Sequence, residues 1–320
     1  MINLKKKKAL IVGPGSMGKE YYRCLKEIGL EVHVIGRSKK SFTKFNNIKN
    51  IFKYTSFKDF TNSENSKDFD IAIVSVSVEA LYENTMSLLE TGIKKILIEK
   101  PGSLSFEQLQ DISCIAKRND VKIFIAYNRR YYQSIQQAIK IIEDDGGALS
   151  CHFDFTEWES SILDSGINKD VIGRWFFANS THVLDTVFFI IGKPIEIQFF
   201  GEKKLKWHDG NSIYVGSGIS NKGTPFSFHS NWNSPGRWNI EIMTSNHKII
   251  LCPTEDLKLM KKNSVNIEEF KRDKIDEDFK PGLLNQVKDV LKESSHHLCS
   301  IDEQISNWSL YNKLFHKRKI

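Results

Sequence analysis

Apolar positions in the first 130 residues alternate between two kinds of run. Short, continuously apolar stretches occur at Ala9–Gly13, Glu31–Gly36, Asp70–Ser77, Lys95–Glu99 and Val121–Ala126. Runs of that kind suit strands buried on both faces. Between them the apolar residues recur at helical spacing. Met17, Tyr21, Cys24, Leu25 and Ile28 form one such face, and Gly29 can supply its left-handed C-terminal cap. A second helix is expected from about Glu79 to Thr91, ending at Gly92. Ser105 with Gln108 reads as a capping box opening a third, through Ile112 and Ala116. The stretch from Thr61 to Ser66 reads as a polar loop. This alternation predicts a parallel sheet with helices on both faces.

The second half changes period. Cys151, Phe153 and Phe155 alternate with His152, Asp154 and Thr156, as in a sheet with one wet face. Short strands are expected at 213–220, 225–232, 238–243 and 248–252. Turn chemistry separates them, at Asn221–Gly223, Ser234–Gly236 and Ser245–His247. The pattern predicts an antiparallel meander. Helices are expected at 181–191, 282–293 and 301–315, the last opened by Ser300 with Glu303. The change of period divides the chain into two domains, 1–127 and 128–320.

Charge narrows the classes of partner. Of 46 Lys and Arg residues, seven stand in two terminal runs, Lys5–Lys8 and Lys317–Lys319, and they equal the net charge of +7. The body is neutral, so neither a nucleic-acid stripe nor a membrane-binding face is expected. The N-terminal lysines are followed by too few apolar residues for a signal peptide. Five cysteines without C-x-x-C spacing suggest thiols in a reducing compartment, and a cytoplasmic location with no bound metal. Asn179-Ser180-Thr181 fits a glycosylation triplet that such a compartment would leave unused.

Gly13-Pro14-Gly15-Ser16-Met17-Gly18 matches G-x-G-x-x-G, directly after an expected strand and at the start of an expected helix. Gly13 permits the tight turn, Gly15 lets backbone approach a pyrophosphate, and Gly18 lets helix and strand pack closely. Ser16 and Met17 open the helix, whose free N–H groups would face the phosphates. The end of the second strand reads Gly36-Arg37-Ser38-Lys39-Lys40 and lacks the carboxylate that would hold a ribose 2′-hydroxyl. Arg37 can fork onto a 2′-phosphate and Ser38 can add a hydrogen bond. The pattern favours NADP(H), with NAD(H) as the other possibility.

Lys100 follows the strand at 95–99, where the carboxyl ends of an open α/β sheet bind ligands. A lysine there can hydrogen-bond a reacting oxygen. The glycine loop, the Glu99-Lys100-Pro101 strand end, the Tyr127-Asn128-Arg129-Arg130-Tyr131 stretch and the meander together resemble the Gfo/Idh/MocA family of oxidoreductases. The resemblance implies an α/β fold. It would have an N-terminal doubly wound Rossmann sheet and a C-terminal α/β domain with a large, mostly antiparallel open sheet. It implies that this sheet serves a homodimer or homotetramer. It also implies that Lys100 is catalytic or orients substrate, and that Glu99 lies near the nicotinamide ribose, with Ser77 in the segment beside the nicotinamide.

The family's second signature is a helix histidine facing substrate, and Asn179-Ser-Thr-His182-Val-Leu-Asp185 resembles it. A neutral His182 can take a hydroxyl proton as hydride leaves the same carbon. Tyr127, Arg130, Trp175, Asn179 and Asp185 are the candidate substrate contacts. Trp175 and its neighbours Phe176 and Phe177 suit either a sugar-stacking wall or core packing. Two departures stand out. Position 178, where the family often has an acid, is alanine. The usual Thr-Pro-Asn-x-x-His segment is replaced by Val76-Ser77-Val78-Glu79-Ala80-Leu81. The expectation is a sugar or nucleotide-sugar dehydrogenase or reductase. The alternative is a non-catalytic dinucleotide sensor on the same fold.

Overall fold

The structure, a computed structural model, describes residues 7–49, 51–292 and 296–316. Lys5, Lys6, Lys317, Arg318 and Lys319, five of the seven terminal charges, lie outside the described residues. Internal packing divides the chain into two units. One is Met1–Asn128 with Asp278–Trp308, the other Arg129–Glu277 with Ser309–Ile320.

In the first unit, six strands run parallel: β1 (Lys8–Val12), β2 (Glu31–Ile35), β3 (Phe52–Tyr54), β4 (Phe69–Val74), β5 (Lys95–Ile98) and β6 (Lys122–Ile125). Their order is β6-β5-β4-β1-β2-β3, so the direction of winding reverses between β1 and β4. Leu10, Ile11, Ile71, Ala72, Ile73, Ile96, Leu97 and Ile98 are fully buried, as an apolar run covered on both faces requires. Helix Ser16–Glu27 buries Tyr21, Cys24 and Leu25, the face read from spacing. Ser105 Oγ accepts from Gln108 N at 3.3 Å, as a cap should. The reciprocal half of the expected box goes elsewhere. Ser105 N donates to Ser103 Oγ, and Ser103 in turn donates to Gln108 Oε1. The expected loop at 61–66 is partly helical, since helix Phe57–Ser63 is capped by Ser56 through Asp59 N. Only Phe60 of its residues is buried, too sparse a signal to read as a helix.

Residues 278–308, placed in the second domain by the change of period, pack with the first unit. Helix Leu283–Leu291 buries Leu283, Leu284, Val287 and Val290 against helix Ser16–Glu27, β4 and β5. Cys299–Ser300 then adds an antiparallel edge beside β6.

The second unit holds an eight-stranded sheet: β7 (Ser150–Asp154), β8 (Pro194–Glu202), β9 (Ile213–Ser220), β10 (Pro225–Asn231), β11 (Asn239–Met243), β12 (His247–Leu251), β13 (Leu257–Lys261) and β14 (Ile267–Glu269). Its order is β14-β13-β12-β11-β7-β10-β9-β8. A simple meander would join β10 to β11. Instead β7 lies between them, parallel to β10 and antiparallel to β11. Phe153 is fully buried and packs on Phe155, Phe226 and Phe228. Helices Gln133–Asp144 and Thr181–Ile191 contact strands of this sheet. β8 and β13 were not expected, although Ile195–Phe199 and Leu257–Leu259 alternate apolar and polar residues. Among the described residues, no helix is long and apolar enough to cross a membrane.

Candidate functional site

The first unit carries a cavity of about 530 Å³ where β1 and β4 diverge, at their carboxyl ends. In an open α/β sheet this is the position where ligands bind. Gly13 and Gly15 of the glycine loop line it, together with Arg37 and Ser77. Gly13 has φ +105°, and a Cβ there would stand 2.7 Å from Ser75 O. A Cβ on Gly18 would stand 2.1 Å from Gly13 O, which is why helix and loop can close together. Around Gly15 the space is open, with nothing within 4 Å of a Cβ position. Ser16 and Met17 form the first turn of helix Ser16–Glu27, which has no side-chain cap and no acid in that turn. These features fit a dinucleotide: free N–H groups and a positive dipole end face open space suited to a pyrophosphate.

Arg37 and Ser38 are exposed at the end of β2. Arg37 lines the cavity, whereas Ser38 does not; its carbonyl accepts from Ser41 Oγ. Ser41, Thr55, Ser56 and Phe57 complete this end, and no acidic residue lines the cavity among those described. Sequence reasoning missed Thr55 to Phe57 because β3 is three residues long and mostly exposed. The signal that would have found them is Ser56 three residues before Asp59, a capping pattern.

Glu99 and Lys100 follow β5. Tyr21, on the helix of the glycine loop, donates to Glu99 Oε1 at 2.7 Å. Removal from water pushes the Glu99 carboxyl up, opposed by the Tyr21 hydroxyl and the charges of Lys100 and Lys280. Burial likewise raises Tyr21 well above the phenol range. Lys280 Nζ also lies 3.0 Å from Met17 Sδ. The Lys100–Pro101 peptide is cis, and Pro101 O accepts from Gln304 Nε2 at 3.0 Å. Tyr127 is buried in this unit, 1% exposed.

In the second unit one π-helical turn, Phe176–Ser180, leads into helix Thr181–Ile191. Such turns are frequent at functional sites. His182 is buried, and its ring lies 6.3 Å from that of Trp238. Phe176 and Phe177 are core residues, packed on each other and on Phe315, so they form no substrate wall. Trp175 and Asn179 remain partly exposed.

Arg130 and Asp185, both expected to touch substrate, hold each other instead. Arg130 Nε donates to Oδ2 at 2.9 Å and Nη2 to Oδ1 at 2.6 Å, with both side chains almost wholly buried. A bidentate pair at this depth is a strut between the start of the second unit and the histidine helix.

A carboxylate from another element lies beside the turn that carries Ala178. Glu157, three residues after β7 and 2% exposed, accepts from Ser180 Oγ at 2.7 Å and from Asn179 Nδ2 at 3.2 Å. Arg237 Nη1 lies 3.8 Å away. Burial raises the Glu157 carboxyl, while Ser180 and Arg237 favour its ionised form. The Trp175 indole favours that form too, although its N–H falls outside hydrogen-bonding geometry. Nothing in the spacing points to Glu157, because it reaches the histidine helix from another element.

Residues 7–127 match the family model for the oxidoreductase family with an NAD-binding Rossmann fold, GFO_IDH_MocA. Residues 7–127 thus carry an NAD-binding Rossmann domain of the Gfo/Idh/MocA type. The resemblance read from the motifs is thereby borne out. A curated relative, the uncharacterised oxidoreductase YhhX of Escherichia coli (strain K12), is 23% identical over 154 residues. That stretch is 47% of this chain and only 43% of YhhX. Solved oxidoreductase structures share the fold along nearly the whole chain. An oxidoreductase of Agrobacterium radiobacter, solved with NAD+, L-tartaric acid and magnesium, has a TM-score of 0.75 at 14% identity, over 96% of this chain and 94% of that one. The WlbA dehydrogenase of Chromobacterium violaceum, solved with NADH and UDP-GlcNAcA, has a TM-score of 0.71 at 14% identity, over 98% and 94%. The expected α/β class, a Rossmann sheet and a second, mostly antiparallel sheet, is the one observed.

Proposed function

We propose that this Gfo/Idh/MocA-type protein transfers a hydride between a nicotinamide cofactor, NADP(H) by preference, and a hydroxyl or keto carbon of a sugar or nucleotide sugar. The observation that carries the cofactor reading is the cavity at the β1–β4 switch, lined by Gly13, Gly15 and Arg37 with no acid among its described residues. A carboxylate at that end would repel a 2′-phosphate, whereas the Arg37 guanidinium can hold one in its plane. The sugar reading is supported by the nucleotide-sugar ligand of WlbA and by the aromatic and polar groups around His182.

A bound nicotinamide supplies the hydride acceptor or donor. The chain would do the rest. Gly13–Gly18 and the N-terminus of helix Ser16–Glu27 would hold the pyrophosphate. Lys100 would donate a hydrogen bond to the reacting oxygen and stabilise charge developing on it. His182 would accept the hydroxyl proton in oxidation and return it in reduction. Glu157 would position the turn that carries Asn179 and Ser180, and through it His182.

Titration with NADPH and NADH, followed by turnover assays over a panel of keto sugars and nucleotide sugars, tests the reading. Tight dinucleotide binding with no turnover on any member would replace it with the non-catalytic sensor. Lys100→Ala should lower kcat on the order of a hundredfold and leave the Kd for NADPH within about twofold. Arg37→Ala should raise KM for NADPH by about tenfold or more and leave KM for NADH nearly unchanged.

A further inference from the structure

The loop before β11 and the start of the second unit place two arginines on one indole beside His182. The Arg129 guanidinium lies 4.4 Å from the Trp238 ring centroid, and that of Arg237 lies 4.6 Å from it. Arg237 also lies 4.5 Å from the ring of Trp158. The loop carrying it is tied down by Trp158 Nε1, which donates to Gly236 O at 2.6 Å. The ladder runs from the half-exposed Trp158 inward to the buried Trp238, whose ring is 6.3 Å from that of His182.

Stacking occupies the faces of these guanidinium groups and leaves their in-plane N–H donors for other work. Two donors of this cluster lack a partner among the described residues, while the exposed Arg237 keeps its own open to solvent. Arg129 Nε and Trp238 Nε1 are buried with no hydrogen-bond partner among the described residues. Arg129 makes no ion pair among them either. Buried donors in that condition point to an acceptor outside the chain. The Glu157 carboxylate is 3.8 Å from Arg237 and already accepts from Asn179 and Ser180. Arg237, which cannot shed its charge, thus shares its nearby carboxylate with other partners, and Arg129 has no ion-pair partner among the described residues.

We propose that Arg129, Trp238 and Arg237 form a subsite for an anionic oxygen group of the substrate, a carboxylate or a phosphate, next to His182. This rests on the reading of that region as the substrate site. The two arginines offer in-plane forks that match the paired oxygens of either group, and the Trp238 N–H adds a neutral donor. A substrate lacking the charge would leave the same donors unpaired, so the subsite would select acidic or phosphorylated sugars over neutral ones.

Calorimetric titration of the NADPH-loaded full chain with glucose, glucuronate and UDP tests this. At least one anion should bind about tenfold or more tighter than glucose. A gain confined to glucuronate assigns a carboxylate, and one confined to UDP a phosphate. The advantage should fall to within about twofold in Arg129→Met and in Arg237→Met, with the Kd for NADPH unchanged as the check on folding. Arg237 is partly exposed, so its replacement keeps the test open if Arg129→Met fails to fold. Three results overturn the proposal: equal affinity for all three probes, no binding of either anion, or an anion advantage that survives both substitutions. An arginine-dependent anion preference without turnover on any sugar would sink the enzymatic reading and leave the subsite standing. Turnover without the preference would do the reverse.

Discussion

His208 is fully buried, with its ring 4.5 Å from Trp232 and 5.4 Å from Phe315. Neither ring nitrogen makes a hydrogen bond among the described residues, and burial outweighs the Ile172 carbonyl, the Asp209 charge and the Gly173 carbonyl, which favour its charged form. Burial pushes it down from 6.5 to about 4. The unfolded chain takes up this proton near pH 6.5, the folded chain only near 4. Its contribution to stability is therefore complete above the unfolded value and is lost as pH falls through that window. His208→Phe should lose less Tm between pH 7 and pH 5 than the wild type, as followed by circular dichroism. An equal loss in both would mean that other groups carry the acid sensitivity. Burial sets the fate of Arg130 and Asp185 as well. From sequence they look like substrate contacts, being polar and close to the motifs. In the fold each is the other's counter-ion, which no local pattern could show.

Helix Ser16–Glu27 was legible in full, because each of its signals is local. Its apolar face repeats at helical spacing, and the glycines that permit its approach to β1 lie next to it in sequence. The tightest of these contacts is at Gly18. Gly18→Ala would bring a methyl group to 2.1 Å from Gly13 O, so loop and helix must move apart. Overpacking of this kind costs about 1–3 kcal/mol. Urea unfolding should read that loss, and nicotinamide fluorescence should show weakened dinucleotide binding with it. Retained stability and affinity would show that the loop yields more easily than its contacts suggest. The histidine helix was legible only in part. Its span and buried face followed from spacing, but the carboxylate serving it did not. Glu157 comes from the end of β7, and only the folding of the second sheet brings it to Asn179 and Ser180.

At the scale of the molecule, the eight-stranded sheet keeps one face largely uncovered within the chain. Phe200 on β8 is 72% exposed and pairs in register with Val215 on β9, itself 50% exposed. Apolar residues side by side on an open face suit burial against another protein surface. The homodimer or homotetramer that the sequence resemblance implies would bury this face. Phe200→Asp with Val215→Asp should shift the mass measured by light scattering to the monomer. An unchanged mass, or a wild type already monomeric, would remove the assignment. Local periodicity settled β1, β2 and β4–β6 of the Rossmann sheet and its glycine loop, since buried parallel strands write their pattern over a few neighbouring residues; the short, exposed β3 and helix Phe57–Ser63 left no such pattern. It also settled the one-sided strands at β7 and β9–β12. Tertiary structure alone decided three things: the insertion of β7 between β10 and β11, the return of residues 278–308 to the first unit, and the approach of Glu157 to Asn179 and Ser180 and of Arg129 and Arg237 to Trp238. Each depends on contacts between residues far apart in the chain. Burial and charge compensation select such contacts, and the order of residues along the chain does not record them.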